Sequence, residues 1–128
     1  MAFDWVDYLK LAKGLLGVTN EAALRSSISR AYYFVYHVAR NRLESNGLTP
    51  NWSDSQHKIT WEYYEGSPDY ECKKLGLLGQ RLRSRRTKAD YDLVYGGRVE
   101  EEAPDSVTKA EEFAVSLGKI DERLPRVG

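Results

Sequence analysis

Apolar residues recur along this chain at steps of three and four, the period of a helix with one buried face, and two-residue alternation is scarce. Trp5, Tyr8, Leu9, Ala12, Leu15 and Leu16 make the first such row. They predict a helix from about Asp4 to Leu16, with Gly17 as its stop. Thr19 or Asn20 can cap a second helix that continues to Ser45 before Asn46-Gly47, on a row of Leu24, Ile28, Ala31, Tyr32, Val35, Ala39 and Leu43. After a break at Pro50-Asn51, Ser53-Asp54-Ser55-Gln56 has the form of a capping box. A short helix is expected from there to about Tyr64, ending at Gly66. Ser67-Pro68 reads as the cap and first-turn proline of a helix running to about Tyr91, with Leu75, Leu78, Leu82 and Ala89 on one side. Residues 92–103, with Gly96-Gly97 and the acidic run Glu100-Glu101-Glu102, read as a loop. The last helix, about Asp105 to Arg123, carries Val107, Ala110, Phe113, Ala114, Leu117 and Ile120 before Leu124-Pro125 closes it.

The fold class that follows is all-α: an up-and-down bundle of about five helices in one domain over residues 1–128, with no internal repeat. A chain of this length, 41% hydrophobic, can bury a core. No run of 18 apolar residues exists, so no membrane span is expected; the N-terminus lacks a secretion pattern, which leaves a cytoplasmic home as the expectation. Nineteen basic against nineteen acidic residues give zero net charge, which argues against indiscriminate coating of nucleic acid. Cys72 is the sole cysteine, so neither an internal disulfide nor a cysteine zinc cluster is expected. The two histidines lie far apart in sequence without His-Glu-x-x-His spacing, and no metal or other cofactor is expected. Gly76-Leu77-Leu78-Gly79 lacks the Lys-Ser/Thr of a phosphate loop, and its glycines read as permitting close helix packing. Cys72 lies near a helix start, where a thiol pKa can fall, and is assigned no role.

Two stretches carry candidate chemistry. On the second helix, Ser26, Arg30, Tyr33, His37 and Arg40 or Asn41 share one face, rotated from the apolar row, among Tyr32, Phe34 and Tyr36. That face either packs a second subunit or lines a cleft in which Arg30 and His37 meet a phosphate, and the two readings are compatible. On the fourth helix, residues 81–88 hold five positive charges, and Arg81, Arg85 and Lys88 fall on one exposed ridge. Arg86 stands apart. It lies four residues after Leu82 and three before Ala89, at the edge of the buried stripe, where a guanidinium needs a partner that Asp90 can supply. The pair is either a helix-end ion pair or a guanidinium fork held ready for a phosphate oxygen. His37 and His57 are the two imidazoles able to move a proton near neutrality.

Ser29-Arg30-Ala31-Tyr32-Tyr33, continuing to Tyr36-His37, resembles the second-helix signature of small HEPN-domain proteins. Arg86-Thr87-Lys88-Ala89-Asp90-Tyr91-Asp92 is similar to the Arg-x-x-Ala-Asp-Tyr element of their later long helix, and His57-Lys58 fits between them. The resemblance spans nearly the whole chain. It implies a helical bundle that forms a homodimer, a toxin or defence setting, and a nucleotidyltransferase-like antitoxin as partner. It also implies RNA as the target of a metal-independent ribonuclease. In the active members an arginine that steadies the scissile phosphate is followed four to six residues later by a histidine that moves protons. Here Arg86 is followed by Asp90 and Tyr91, and no histidine follows His57. The candidate catalytic set is therefore Arg86, Asp90, Tyr91, His37 and His57, with Arg30, Tyr33 and Arg85 as candidate phosphate or RNA contacts. The alternative is a catalytically silent helical module that holds the nucleotidyltransferase-like partner.

Overall fold

The computed structural model describes residues 2–48 and 55–125. Among the described residues five helices pack as a bundle: α1 (Val6–Leu15), α2 (Glu21–Ser45), α3 (Gln56–Glu65), α4 (Tyr70–Tyr91) and α5 (Val99–Lys119). The all-α five-helix reading of the sequence is thus correct. The long central helix α2 touches all four others, because its apolar row runs its full length and is buried from Ala23 to Leu43. Around it lies a core that includes Leu9, Ala12, Tyr32, Val35, Leu43, Trp61, Leu82 and Phe113. A smaller cluster, Ile28, Ala89, Tyr95, Val99 and Ala103, closes the other end.

The caps explain where the helices begin. Of the two candidates before α2, Asn20 does the capping, accepting from the Ala23 N–H at 2.8 Å. The helix leaves at Gly47, whose φ of +75° suits a residue without a Cβ. The expected cap of α3, Ser53, lies outside the described residues; Ser55 caps the helix, accepting from the Lys58 N–H at 3.3 Å. Helix α4 does not start at Ser67-Pro68. Asp69 caps it, accepting from the Cys72 N–H at 2.9 Å, while Ser67 Oγ receives the Asp69 N–H at 3.2 Å. A carboxylate at the positive end of a helix adds charge to the same hydrogen bond.

The largest departure is α5, which begins at Val99 within the expected loop and ends at Lys119, short of Arg123. Its acidic run occupies the first turn, where three carboxylates face the N-terminal dipole. Val99 and Ala103, one turn apart, bury against Ile28, Ala89 and Tyr95, and this burial draws the helix start forward.

Two arginines of α2 close the C-terminal ends of their neighbours. Arg42 donates to the carbonyl of Leu117 (2.8 Å) in the last turn of α5 and to those of Asp121 (3.3 Å) and Leu124 (3.1 Å) beyond it. Arg25 does the same for α4, donating to the carbonyls of Ala89 (3.4 Å), Asp92 and Leu93 (3.3 Å). Charged donors on unsatisfied helix carbonyls are worth about 1.5–3 kcal/mol each. Arg25→Ala is accordingly expected to lower unfolding free energy by about 2 kcal/mol in urea titration. It is also expected to speed amide exchange selectively over residues 89–98, and uniform exchange would show that Arg25 does not hold this turn.

Candidate functional site

Helices α2, α3 and α4 converge on one aromatic cluster that bears cations. Arg86 comes from α4 and is buried, 9% exposed, as its place beside Leu82 and Ala89 requires. Its guanidinium lies over the rings of Tyr32 (5.5 Å) and Tyr33 (5.4 Å). Asp90 is its nearest carboxylate at 3.8 Å, an ion-pair distance too long for a hydrogen bond, and Arg86 Nε is buried with no partner. Asp90 instead accepts from Ser29 Oγ at 3.2 Å, and Ser29 Oγ receives Arg30 Nη2 at 3.4 Å. Arg30 also lies over Tyr33 (5.0 Å) and Tyr8 (4.8 Å).

Both imidazoles reach the same rings. His57, from the start of α3, stacks on Tyr36 at 4.0 Å and on Tyr32 at 5.5 Å, and meets Tyr33 edge-on at 6.0 Å. Its Nδ1 is 2.6 Å from Tyr32 Oη. His37 stacks flat against Trp5, 3.4 Å between centroids, with Tyr36 edge-on at 5.0 Å. Tyr36 therefore stands between the two histidines. Arg40 donates to Tyr36 Oη (3.2 Å) and to Gln56 Oε1, and pairs with Glu44 (2.8 Å). Arg83 reaches Ser55 Oγ at 3.5 Å. Among the described residues, neither Arg30 nor Arg83 has a carboxylate within ion-pair distance, so positive charge exceeds negative here.

Burial and that excess together set the imidazoles' state. Burial first, then the charges of Arg86 and Arg83, hold His57 down to about 4. Burial and Arg40 do the same to His37, also down to about 4. Both rings are neutral at neutral pH. The unfolded chain takes up a proton on each near pH 6.5 while the folded chain resists until about pH 4. Their contribution to stability is thus complete above about pH 6.5 and is lost as pH falls through that window. The thermal midpoint is expected to drop as pH falls from 6.5 to 4. The drop should be shallower in a His37→Gln/His57→Gln variant than in the wild type. Parallel curves would show that neither imidazole is held neutral.

The structure places Arg86, Asp90, Arg30, Tyr33, His37 and His57 around the same aromatic rings. It separates two others. Arg85 turns to α5, where it pairs with Asp105 (2.8 Å) and Glu102 (3.5 Å), so of the expected exposed ridge of Arg81, Arg85 and Lys88 only Arg81 is exposed. Lys88 also binds Glu102, at 3.3 Å. The step of one residue from Arg85 to Arg86 rotates the side chain by a quarter turn or more, which decides their different fates. Tyr91 is 75% exposed at the end of α4, away from the aromatic cluster. Ser26 is exposed, and Cys72 is buried with its thiol pushed up by that burial, so the helix start does not lower it. Sequence reading missed Trp5, Arg83 and Trp61. Only the aromatic density around Arg30 and His57 hinted at them.

Chemically, the cluster offers guanidinium donors and aromatic faces beside two neutral imidazoles. Among the described residues no group of three His, Cys, Asp or Glu side chains is placed to hold a metal ion, and no helix is long and apolar enough to cross a membrane. Comparison with protein-family models, with curated proteins and with solved structures finds no match for this chain.

Proposed function

We propose that this chain is a HEPN-like helical module that engages the phosphates of RNA or nucleotides through Arg86. It works as a homodimer in a toxin–antitoxin or defence setting. One observation carries the reading: an arginine whose side chain is 11% exposed and whose Nε is buried without a partner, making no hydrogen bond among the described residues and lying over two tyrosines that it shares with a neutral imidazole. Burial of a charge with so weak a partner is costly, and an oxyanion is the ligand that relieves it. The surplus of Arg30 and Arg83 points the same way, and half-buried faces such as those of Tyr33 and Arg30 can meet an unstacked base. The histidine that the resemblance expects after Arg86 is missing from α4, and His57 reaches the same rings from α3.

The test is the purified full chain with single-stranded RNA, followed by anisotropy for binding and by gel for cleavage, each with and without chelator. Saturable binding that fades with salt and survives chelation is the expected result. Absence of binding at low salt overturns the reading, and cleavage that survives chelation extends it to a metal-independent ribonuclease.

A second reading, a catalytically silent module that holds a nucleotidyltransferase-like partner, draws on the loop after α4. There Tyr91, Leu93 and Val94 are 75%, 96% and 78% exposed. Apolar side chains that open to water suit a contact with another protein.

A further inference from the structure

We propose that Tyr32, itself held by Trp61, locks His57 as its Nε2–H tautomer, so that the imidazole meets an anion at the Arg86 face as a donor. The identity of the ligand rests on the reading above; the tautomer does not.

The assignment is a count of protons. Trp61 Nε1–H can only donate, and it donates to Tyr32 Oη at 3.1 Å. Both residues are fully buried, at 0% exposure. The Tyr32 hydroxyl has one proton to place, and among the described residues its one other partner is His57 Nδ1, at 2.6 Å. Were His57 protonated on Nδ1, two donors would aim at Tyr32 Oη and the hydroxyl proton would be buried without an acceptor. Native interiors rarely keep such a group. Nδ1 therefore accepts, and the ring's own proton lies on Nε2. The Tyr36 ring, stacked at 4.0 Å, fixes the plane in which it points.

Among the described residues His57 Nε2 makes no hydrogen bond, and the residue is only half-buried. The groups that Arg86 and His57 offer a ligand are then all donors. The ligand must answer with acceptors alone, which describes the oxygens of a phosphodiester or terminal phosphate. A nitrogen that already carries a proton cannot take another from a ribose hydroxyl. His57 in this state positions a phosphate and does not act as the base.

The experiment is a long-range proton–nitrogen correlation spectrum of the imidazoles in the labelled full chain at neutral pH. His57 is assigned by its loss in His57→Gln. The expected wild-type pattern is a protonated Nε2 with a bare Nδ1. In Tyr32→Phe, checked for folding by its circular dichroism, an Nδ1–H population should appear and affinity for a short single-stranded RNA should fall about fivefold, the loss expected of one hydrogen bond. An Nδ1–H ring in the wild type overturns the lock without recourse to any variant. So does an unchanged tautomer in folded Tyr32→Phe. The expected tautomer without any RNA binding upholds the lock and overturns the phosphate-binding reading instead.

Discussion

Gly79→Ala, one added carbon, is expected to cost about 3 kcal/mol of unfolding free energy and to lower the thermal midpoint by about 10 °C. A Cβ at this position would lie 2.3 Å from Trp61 Cζ3 and 2.5 Å from Cε3 and Cη2. The indole cannot step aside. It is fully buried, edge-on to Phe113 at 5.9 Å, tilted on Tyr64 at 5.9 Å, and bonded through Nε1 to Tyr32. Relief must come from moving α3 away from α4 as a body, which opens the core that both share. The same movement pulls on Tyr32 and so on His57, so loss of stability and loss of the His57 tautomer should appear together. Gly96→Ala is the control: nothing lies within 4 Å of its would-be Cβ, and a change within about 0.5 kcal/mol is expected. Equal midpoints for the two variants in thermal or urea unfolding would show that α3 and α4 do not approach as closely as described.

That close approach was legible in the sequence, because two glycines three apart on one helical face leave room for a neighbour. Gly76 serves the same contact, with Glu65 Cγ at 2.7 Å from its would-be Cβ. The period of apolar residues likewise placed α2 and the end of α4 nearly to the residue. The start of α5 was hidden by Gly96-Gly97 and the acidic run, although Val99, Ala103 and Val107 already stood at helical spacing. Charge at a helix N-terminus and charge in a loop look alike until burial decides between them. The site divides the same way. Arg30, Tyr33 and His37 share one helix, so spacing alone aligns them, and the steps from Leu82 to Arg86 to Ala89 place Arg86 at the core's edge. His57 and Trp61 reach them from α3, and Trp5 from the residue before α1. Only tertiary packing makes those meetings, and no local period records it.

Arg86→Met is expected to separate what the fold needs from what the site needs. Unfolding free energy should stay within about 1 kcal/mol of the wild type, while affinity for single-stranded RNA falls by about ten- to a hundredfold. The first half follows from what Arg86 lacks. Among the described residues it makes no hydrogen bond, its Nε is buried unpaired, and Asp90 stands 3.8 Å away. The variant gives up cation–π contacts with Tyr32 and Tyr33, worth about 0.5–2 kcal/mol, and is relieved of a poorly paired buried charge by a side chain of similar reach. The second half follows from what a phosphate would lose, a charge-assisted fork that methionine cannot imitate. Arg86→Lys keeps the charge without the fork and should fall between them. Since Arg86 is, after burial, the leading cause of His57's low pKa, Arg86→Met should also move His57 up from about 4 toward its ordinary value, readable in the same imidazole spectra. A methionine variant that melts early, and binds RNA only as poorly as its folded fraction dictates, would assign Arg86 to the architecture. A variant that folds as before, titrates His57 higher and no longer holds RNA would show a guanidinium kept in the core for its ligand.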